Sequence, residues 1–125
     1  MLAALQSDAF YDNALAIQEK WGASRCGVVI GTSTAGVEML EQVYRARQEG
    51  APMPADYSMQ HHDSQQAVAA FLQEYLNFLG PSYSISTACS SSAKALVDAY
   101  QLIEAGLCDA VLVGGVDSLC LTSLN

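Results

Sequence analysis

The chain's 125 residues suffice for one domain with a real core but not for two. Apolar residues make up 51% and charged residues 14%, which excludes a disordered tail. A net charge of −8 argues against nucleic-acid binding, which needs clustered Lys and Arg, and against an anionic membrane surface.

No apolar run approaches the roughly 18 residues that span a bilayer, so no transmembrane helix is expected. The opening Met-Leu-Ala-Ala-Leu-Gln-Ser-Asp has no basic stretch before an apolar one and does not read as a signal peptide. Residues 1–20 read as a helix, with Leu2, Leu5, Ala9, Leu15 and Ile17 at near-helical spacing and Asp8, Asp12 and Glu19 on a solvated face. Trp21-Gly22-Ala23-Ser24 breaks it. Gly27-Val28-Val29-Ile30-Gly31-Thr32 is a short apolar run between glycines, the mark of a buried strand.

Residues 37–49 are helical again, with Val37, Leu40, Val43 and Tyr44 on one face and Gly50 as the stop. Residues 51–57 form a loop, because Pro52 and Pro54 remove donors and disfavour helix before them. A third amphipathic helix covers about 64–78, where Val68, Phe71, Leu72, Tyr75, Leu76 and Leu79 converge before Gly80-Pro81. Tyr83 to Thr87 alternates as a strand does.

From Cys89 or Ser90 to Glu104 runs a helix whose start, Ser90-Ser91-Ser92-Ala93, is small on every side; Ala95, Leu96, Ala99, Leu102 and Ile103 follow. So narrow a helix can lie close beneath neighbouring backbone. Gly106 closes it, and Ala110 to Gly115 is a second buried strand. Strand, helix and strand in that order predict a parallel, right-handed unit and an α/β fold class.

Cys89 falls where a strand gives way to that helix. Unpaired amides at a helix start favour an anion and can donate to an oxyanion forming on an attacked thioester. Spacing alone leaves the alternative open, since a lone buried thiol is more often core filler than catalyst. The other cysteines, Cys26, Cys108 and Cys120, show no ligand spacing and read as small apolar residues, reduced as in a cytosolic protein.

The segment Gly80-Pro81-Ser82-Tyr83-Ser84-Ile85-Ser86-Thr87-Ala88-Cys89-Ser90-Ser91-Ser92-Ala93 resembles the active-site segment of β-ketoacyl-carrier-protein synthases. Gly106 to Asp117 resembles the family's next strand and its Gly-Gly turn, and Gly27 to Gly36 resembles the earlier strand with its glycine-rich exit. The resemblance implies a thiolase-like fold of two α/β halves, of which residues 1–125 would be part of the N-terminal half. The family's first strand would precede Met1, and its two catalytic histidines would follow Asn125 in the second half.

The resemblance also implies the chemistry. Cys89 accepts an acyl chain from a carrier-protein thioester, malonyl-carrier loses carbon dioxide, and the carbanion attacks the acyl-enzyme in a Claisen condensation. Acyl carrier protein and a homodimeric or related second subunit are the implied partners, in the cytoplasm, with neither cofactor nor metal. Fatty-acid or polyene synthesis is the first reading and a polyketide ketosynthase the second. A non-catalytic chain-length-factor-like partner ranks lower because Cys89 is present, and thiolase lower still. The fragment alone is expected to be inactive.

His61 and His62, beside a proline-rich loop, read as surface or helix-start residues rather than as a dyad base for Cys89. Gly31 to Gly36 lacks the lysine of a phosphate loop, since Val37 stands in its place. Lys94 pairs with a carboxylate or points to solvent. The Met53–Asp63 stretch departs from the commoner synthase pattern, which leaves the substrate subtype open.

Overall fold

The computed structural model describes residues 7–55, 57 and 64–121. Helix α1 spans Asp8–Trp21, strand β1 Cys26–Gly31, helix α2 Val37–Gln48 and helix α3 Ala67–Tyr75. Strand β2 follows at Ser82–Ile85, helix α4 at Ser91–Glu104 and strand β3 at Ala110–Gly115. Single 3-10 turns, Ala23–Arg25 and Ala88–Ser90, lead into β1 and α4.

The three strands form one parallel sheet in the order β2-β1-β3, with Val28 opposite Ser82 and Leu112. Central β1 is buried at all six residues, which is why its sequence is continuously apolar rather than alternating. Alternation still decides which neighbour each side chain meets. Cys26, Val28 and Ile30 join Ala14 of α1, Ala69 and Leu72 of α3, Leu76 and Phe78 in one core. Gly27, Val29 and Gly31 face the other way, Gly27 toward Cys108 and Gly31 toward the start of α4.

That second face is set by small residues. The stripe of α4 buried on the sheet is Ser91, Ala95 and Ala99, one residue per turn. A Cβ on Gly31 would lie 2.6 Å from the Ser91 carbonyl carbon and from the Ser92 nitrogen, so only glycine admits the helix start there. Across the sheet a Cβ on Gly115 would meet the Ser92 hydroxyl, a side-chain atom that can turn aside.

The sheet's outer edge at β2 is closed by a side chain. The Ser84 amide donates to Gln66 Oε1 at 2.8 Å, and Gln66 Nε2 donates to the Ser82 carbonyl at 3.1 Å. One amide group thus imitates a neighbouring strand and removes an open edge. At the base of the sheet Arg25 grips Asp109 through Nε and Nη2, at 2.6 and 3.1 Å, and donates to the Gly106 carbonyl at 2.8 Å. The Asp109 amide returns a bond to the Arg25 carbonyl, so the starts of β1 and β3 are laced together.

The expected elements are present with shifted ends. Strand β1 begins and ends one residue earlier than the apolar run suggested, and β2 stops at Ile85 because Ser86 and Thr87 bend toward the next turn. Helix α3 is shorter than 64–78: Ser64–Gln66 form a turn, and Asn77 takes a left-handed φ of 51° that ends it. The first six residues of the expected opening helix lie outside the described residues.

The buried helix faces differ more. Ala14 is the buried residue of α1, whereas Ala9 and Ile17 are exposed. Tyr44, Phe71, Tyr75, Leu79, Leu96 and Ile103 are exposed as well, so several residues expected to converge lie on outer faces. Helix α4 is therefore buried on one stripe only, with Leu96, Val97, Tyr100 and Ile103 forming an apolar outer face. Among the described residues no helix is long and apolar enough to cross a membrane.

Replacing Gly31 by alanine forces two backbones apart, with an expected loss of about 1–3 kcal/mol in urea unfolding. Gly114→Ala, whose Cβ meets nothing within 4 Å, is the control and should stay within about 0.5 kcal/mol.

Candidate active site

The C-terminal ends of three parallel strands converge on one turn, and Cys89 sits in it. After β2 the chain reaches Thr87, with φ −138° and ψ 44°, then Ala88 at φ 53°. A residue with a Cβ rarely adopts a positive φ, and the cost must be met by surrounding bonds. Ala88, Cys89 and Ser90 make a single 3-10 turn that runs directly into α4.

The bonds around Ala88 are dense. Its carbonyl accepts from the Ser91 hydroxyl at 2.7 Å and from the Ser33 hydroxyl at 3.0 Å. Ser91 Oγ also accepts from the Thr87 amide at 2.9 Å, so this buried serine spans both sides of the strained residue. Ser90 Oγ donates back toward the Thr87 carbonyl at 2.8 Å. It stands where a serine usually caps a helix, yet no side chain caps the first turn of α4. The backbone closes this turn instead, the Ser91 amide donating to the Ala88 carbonyl and the Ser90 amide to the Thr87 carbonyl.

The wall beside the turn is the loop after β1. Asp117, just past β3, takes the Ser33 and Thr34 amides on Oδ1 at 2.6 and 2.9 Å and the Thr32 hydroxyl at 3.1 Å. The buried Thr32 oxygen in turn accepts the Ala35 amide at 3.1 Å. Hydrogen bonds from the Ser33 and Thr34 amides hold the Asp117 carboxyl below the usual carboxylate range. The glycine-rich exit is thus a hydrogen-bonded shelf against which the Cys89 turn rests, not a phosphate cradle.

Cys89 is exposed, while Cys26, Cys108 and Cys120 are buried. Burial pushes the Cys26 and Cys108 thiols up, which lowers their thiolate fraction at neutral pH. These three occupy the places expected of small apolar residues. Lys94 is exposed on α4, and Asp8, Asp12 and Glu19 line the outside of α1. His61 and His62, with Asp63, lie outside the described residues. Among the described residues no group of three His, Cys, Asp or Glu side chains could hold a metal ion.

Sequence reasoning missed Ser33, Ser91 and Asp117 as parts of this site. Asp117 lies 84 residues from Ser33, and only the parallel order of the strands brings them together. The cue available was the pair of polar, small-residue loops that follow the two apolar strands.

The family model for the beta-ketoacyl synthase N-terminal domain matches residues 1–124. The chain is 29% identical over 109 residues to 3-oxoacyl-[acyl-carrier-protein] synthase 2 of Vibrio cholerae, covering 87% of this chain and 26% of that protein. It is 35% identical over 98 residues to polyketide synthase PksN of Bacillus subtilis, covering 78% of this chain and 2% of that protein. Among solved structures, the ketosynthase ApeO of Xenorhabdus doucetiae, in complex with its chain length factor ApeC, superposes with a TM-score of 0.86 at 32% identity. That match covers 99% of this chain and 31% of the ketosynthase, so the chain spans under a third of the relatives described here.

Native-state alkylation with iodoacetamide followed by peptide mass spectrometry should label Cys89 first. Cys26, Cys108 and Cys120 should react only after denaturant is added. A second expectation concerns acid. Because the folded state depresses the Asp117 carboxyl, its contribution is present above the unfolded value of about 3.9 and is lost as pH falls through the folded value. The urea midpoint should therefore drop below about pH 4, and less so in Asp117→Asn.

Proposed function

Because the chain belongs to the β-ketoacyl synthase family, we propose that it supplies the nucleophile-bearing part of a condensing enzyme, with Cys89 as the acyl acceptor. The observation that carries this reading is an exposed thiol in the turn that opens α4, at the converging ends of a parallel sheet. Its three companions are shut inside the fold.

In the proposed first step the Cys89 sulfur, as thiolate, attacks the carbonyl carbon of an acyl thioester. A carbon–sulfur bond to Cys89 forms, and the carrier's thiolate leaves with the electron pair and takes up the proton. The Cys89 amide is one donor to the oxyanion of the tetrahedral intermediate. In the second step a malonyl thioester releases carbon dioxide, and the resulting carbanion attacks the acyl-Cys89 carbonyl. A carbon–carbon bond forms, the bond to Cys89 breaks, and the thiolate is restored. Splitting the transfer this way replaces one difficult displacement with two easier ones. The groups that assist decarboxylation, histidines in the family, are supplied from outside residues 1–125.

The donors and partners follow from the same reading. Acyl and malonyl groups arrive on acyl carrier protein in the cytoplasm, and the working enzyme is a pair of like or related subunits. The ketosynthase ApeO, solved with its chain length factor, supports pairing of the second kind. A fatty acid synthase relative supports fatty-acid synthesis as the first reading, and a polyketide synthase relative supports a second, a polyketide ketosynthase with the same chemistry and a different chain. The exposed apolar face of α4 is consistent with packing against the remainder of a thiolase-like fold.

The test is acyl loading in the complete enzyme, read by intact-protein and peptide mass spectrometry. Wild type should carry the acyl group on Cys89, and Cys89→Ala should lose loading and condensation by at least about 10³-fold. Residues 1–125 alone, given acyl and malonyl carrier proteins, should yield no condensation product. Undiminished condensation by Cys89→Ala would overturn the assignment.

A further inference from the structure

The geometry points to a hydroxyl clamp on the Ala88–Cys89 peptide, formed by Ser33 and Ser91 and set by Asp117, that aims the Cys89 amide. All three are positioning residues, and their role rests on the reading of Cys89 as an acyl acceptor.

The argument starts from Ala88. Its φ of 53° is costly for a residue with a Cβ, so the turn persists only if neighbours over-determine it. Two hydroxyls donate to one carbonyl, Ser91 at 2.7 Å and Ser33 at 3.0 Å, beside the backbone bond that it accepts from the Ser91 amide. That carbonyl belongs to the peptide whose nitrogen is that of Cys89. A peptide is planar and trans here, so pinning its oxygen fixes the direction of its N–H on the opposite side. The clamp therefore orients the Cys89 amide without touching it.

Ser91 is built into the same helix and is buried, so its hydroxyl is held by the fold. Ser33 lies on a loop, 55 residues before Ala88, and needs its own anchor. Asp117 provides one: a single carboxylate oxygen takes the amides of Ser33 and Thr34 and the hydroxyl of Thr32. Thr34 adds a bond from its hydroxyl to the Ser118 carbonyl at 3.0 Å, fastening the same loop to the segment after β3. The carboxyl is held in its ionised form well into acid, so the anchor does not switch across the neutral range. The ends of β1, β2 and β3 are thus joined in one path: carboxylate, loop amide, serine hydroxyl, strained carbonyl.

A tie that merely stabilised the loop would change unfolding and leave the chemistry of the folded enzyme alone. Two reactions at the same sulfur separate the cases. Acyl loading passes through an oxyanion and needs the aimed amide, whereas alkylation by iodoacetamide displaces iodide and forms no oxyanion. In the complete enzyme, Ser33→Ala and Asp117→Ala should each slow single-turnover acyl loading of Cys89 by roughly 10- to 100-fold, part of what a lost oxyanion donor costs. Cys89 alkylation should stay within about 3-fold of wild type, because that reaction uses no oxyanion donor. The double variant should load no more slowly than the worse single one, since both cut the same path. Asp117→Asn, whose Oδ1 still accepts the same amides, should retain most of the loading.

Ser33→Ala removes one hydroxyl and keeps the test open should Asp117→Ala fold poorly. Loading at wild-type rate in Ser33→Ala overturns the clamp, as does a parallel fall in both reactions or full additivity in the double variant. No acyl group on Cys89 in wild type would overturn the functional reading and the clamp together.

Discussion

The structure depends on how closely α4 can lie on β1. At Gly31 the two backbones are separated by less than a methyl group needs, and the helix stripe above it is Ser91, Ala95 and Ala99. Van der Waals contact at that separation is between main chains, so it has almost no tolerance for added volume. Everything that follows in space inherits the position of that helix start. Lifting it by a methyl group would carry the Cys89 turn away from the loop after β1 and from the serine that spans Thr87 and Ala88.

This closeness explains a division of labour across the sheet. The side of β1 that carries Val28 and Ile30 meets α1 and α3 through ordinary apolar packing, which tolerates volume-conserving exchange. The other side carries Val29 between two glycines and is met by the serine and alanine stripe of α4. The first side supplies the apolar burial that drives folding. The second forgoes much of that burial and in return places serine hydroxyls within reach of main-chain carbonyls.

What was legible in the sequence follows from the same contrast. The strands could be read because β1 is buried on both faces, so apolar character is continuous, and because glycines bound the run. The strand–helix junction at Cys89 could be read because small residues cluster after it. The inward faces of the helices could not. Ile17, Tyr44, Phe71 and Leu96 have the right spacing to be core residues, yet they are exposed. Spacing defines an apolar stripe, and the sheet's position selects which part of it is covered. Ala14, Ala95 and Ala99 were chosen over larger neighbours because the helices sit close. Gln66 and Asp117 escaped notice for another reason. Each acts on partners 16 to 85 residues away through a single side chain, and no local pattern marks such a bond.

The strain at Ala88 has a physical consequence for how such a turn can change over time. Glycine there would remove the penalty, but it would also widen the range of backbone angles open to the unfolded chain and to the turn itself. An alanine in a left-handed conformation has few alternatives once Thr87 and Ser91 are joined by a 2.9 Å hydrogen bond, because the remaining allowed regions would break that bond. The strain therefore narrows the turn to one geometry so long as the hydroxyls hold it, and releases it if they do not. A thiol placed by such a turn is held in position without being buried, so its sulfur stays open to solvent. Burial could also order the thiol, as it does for Cys26 and Cys108, but at the cost of access and of the charged form.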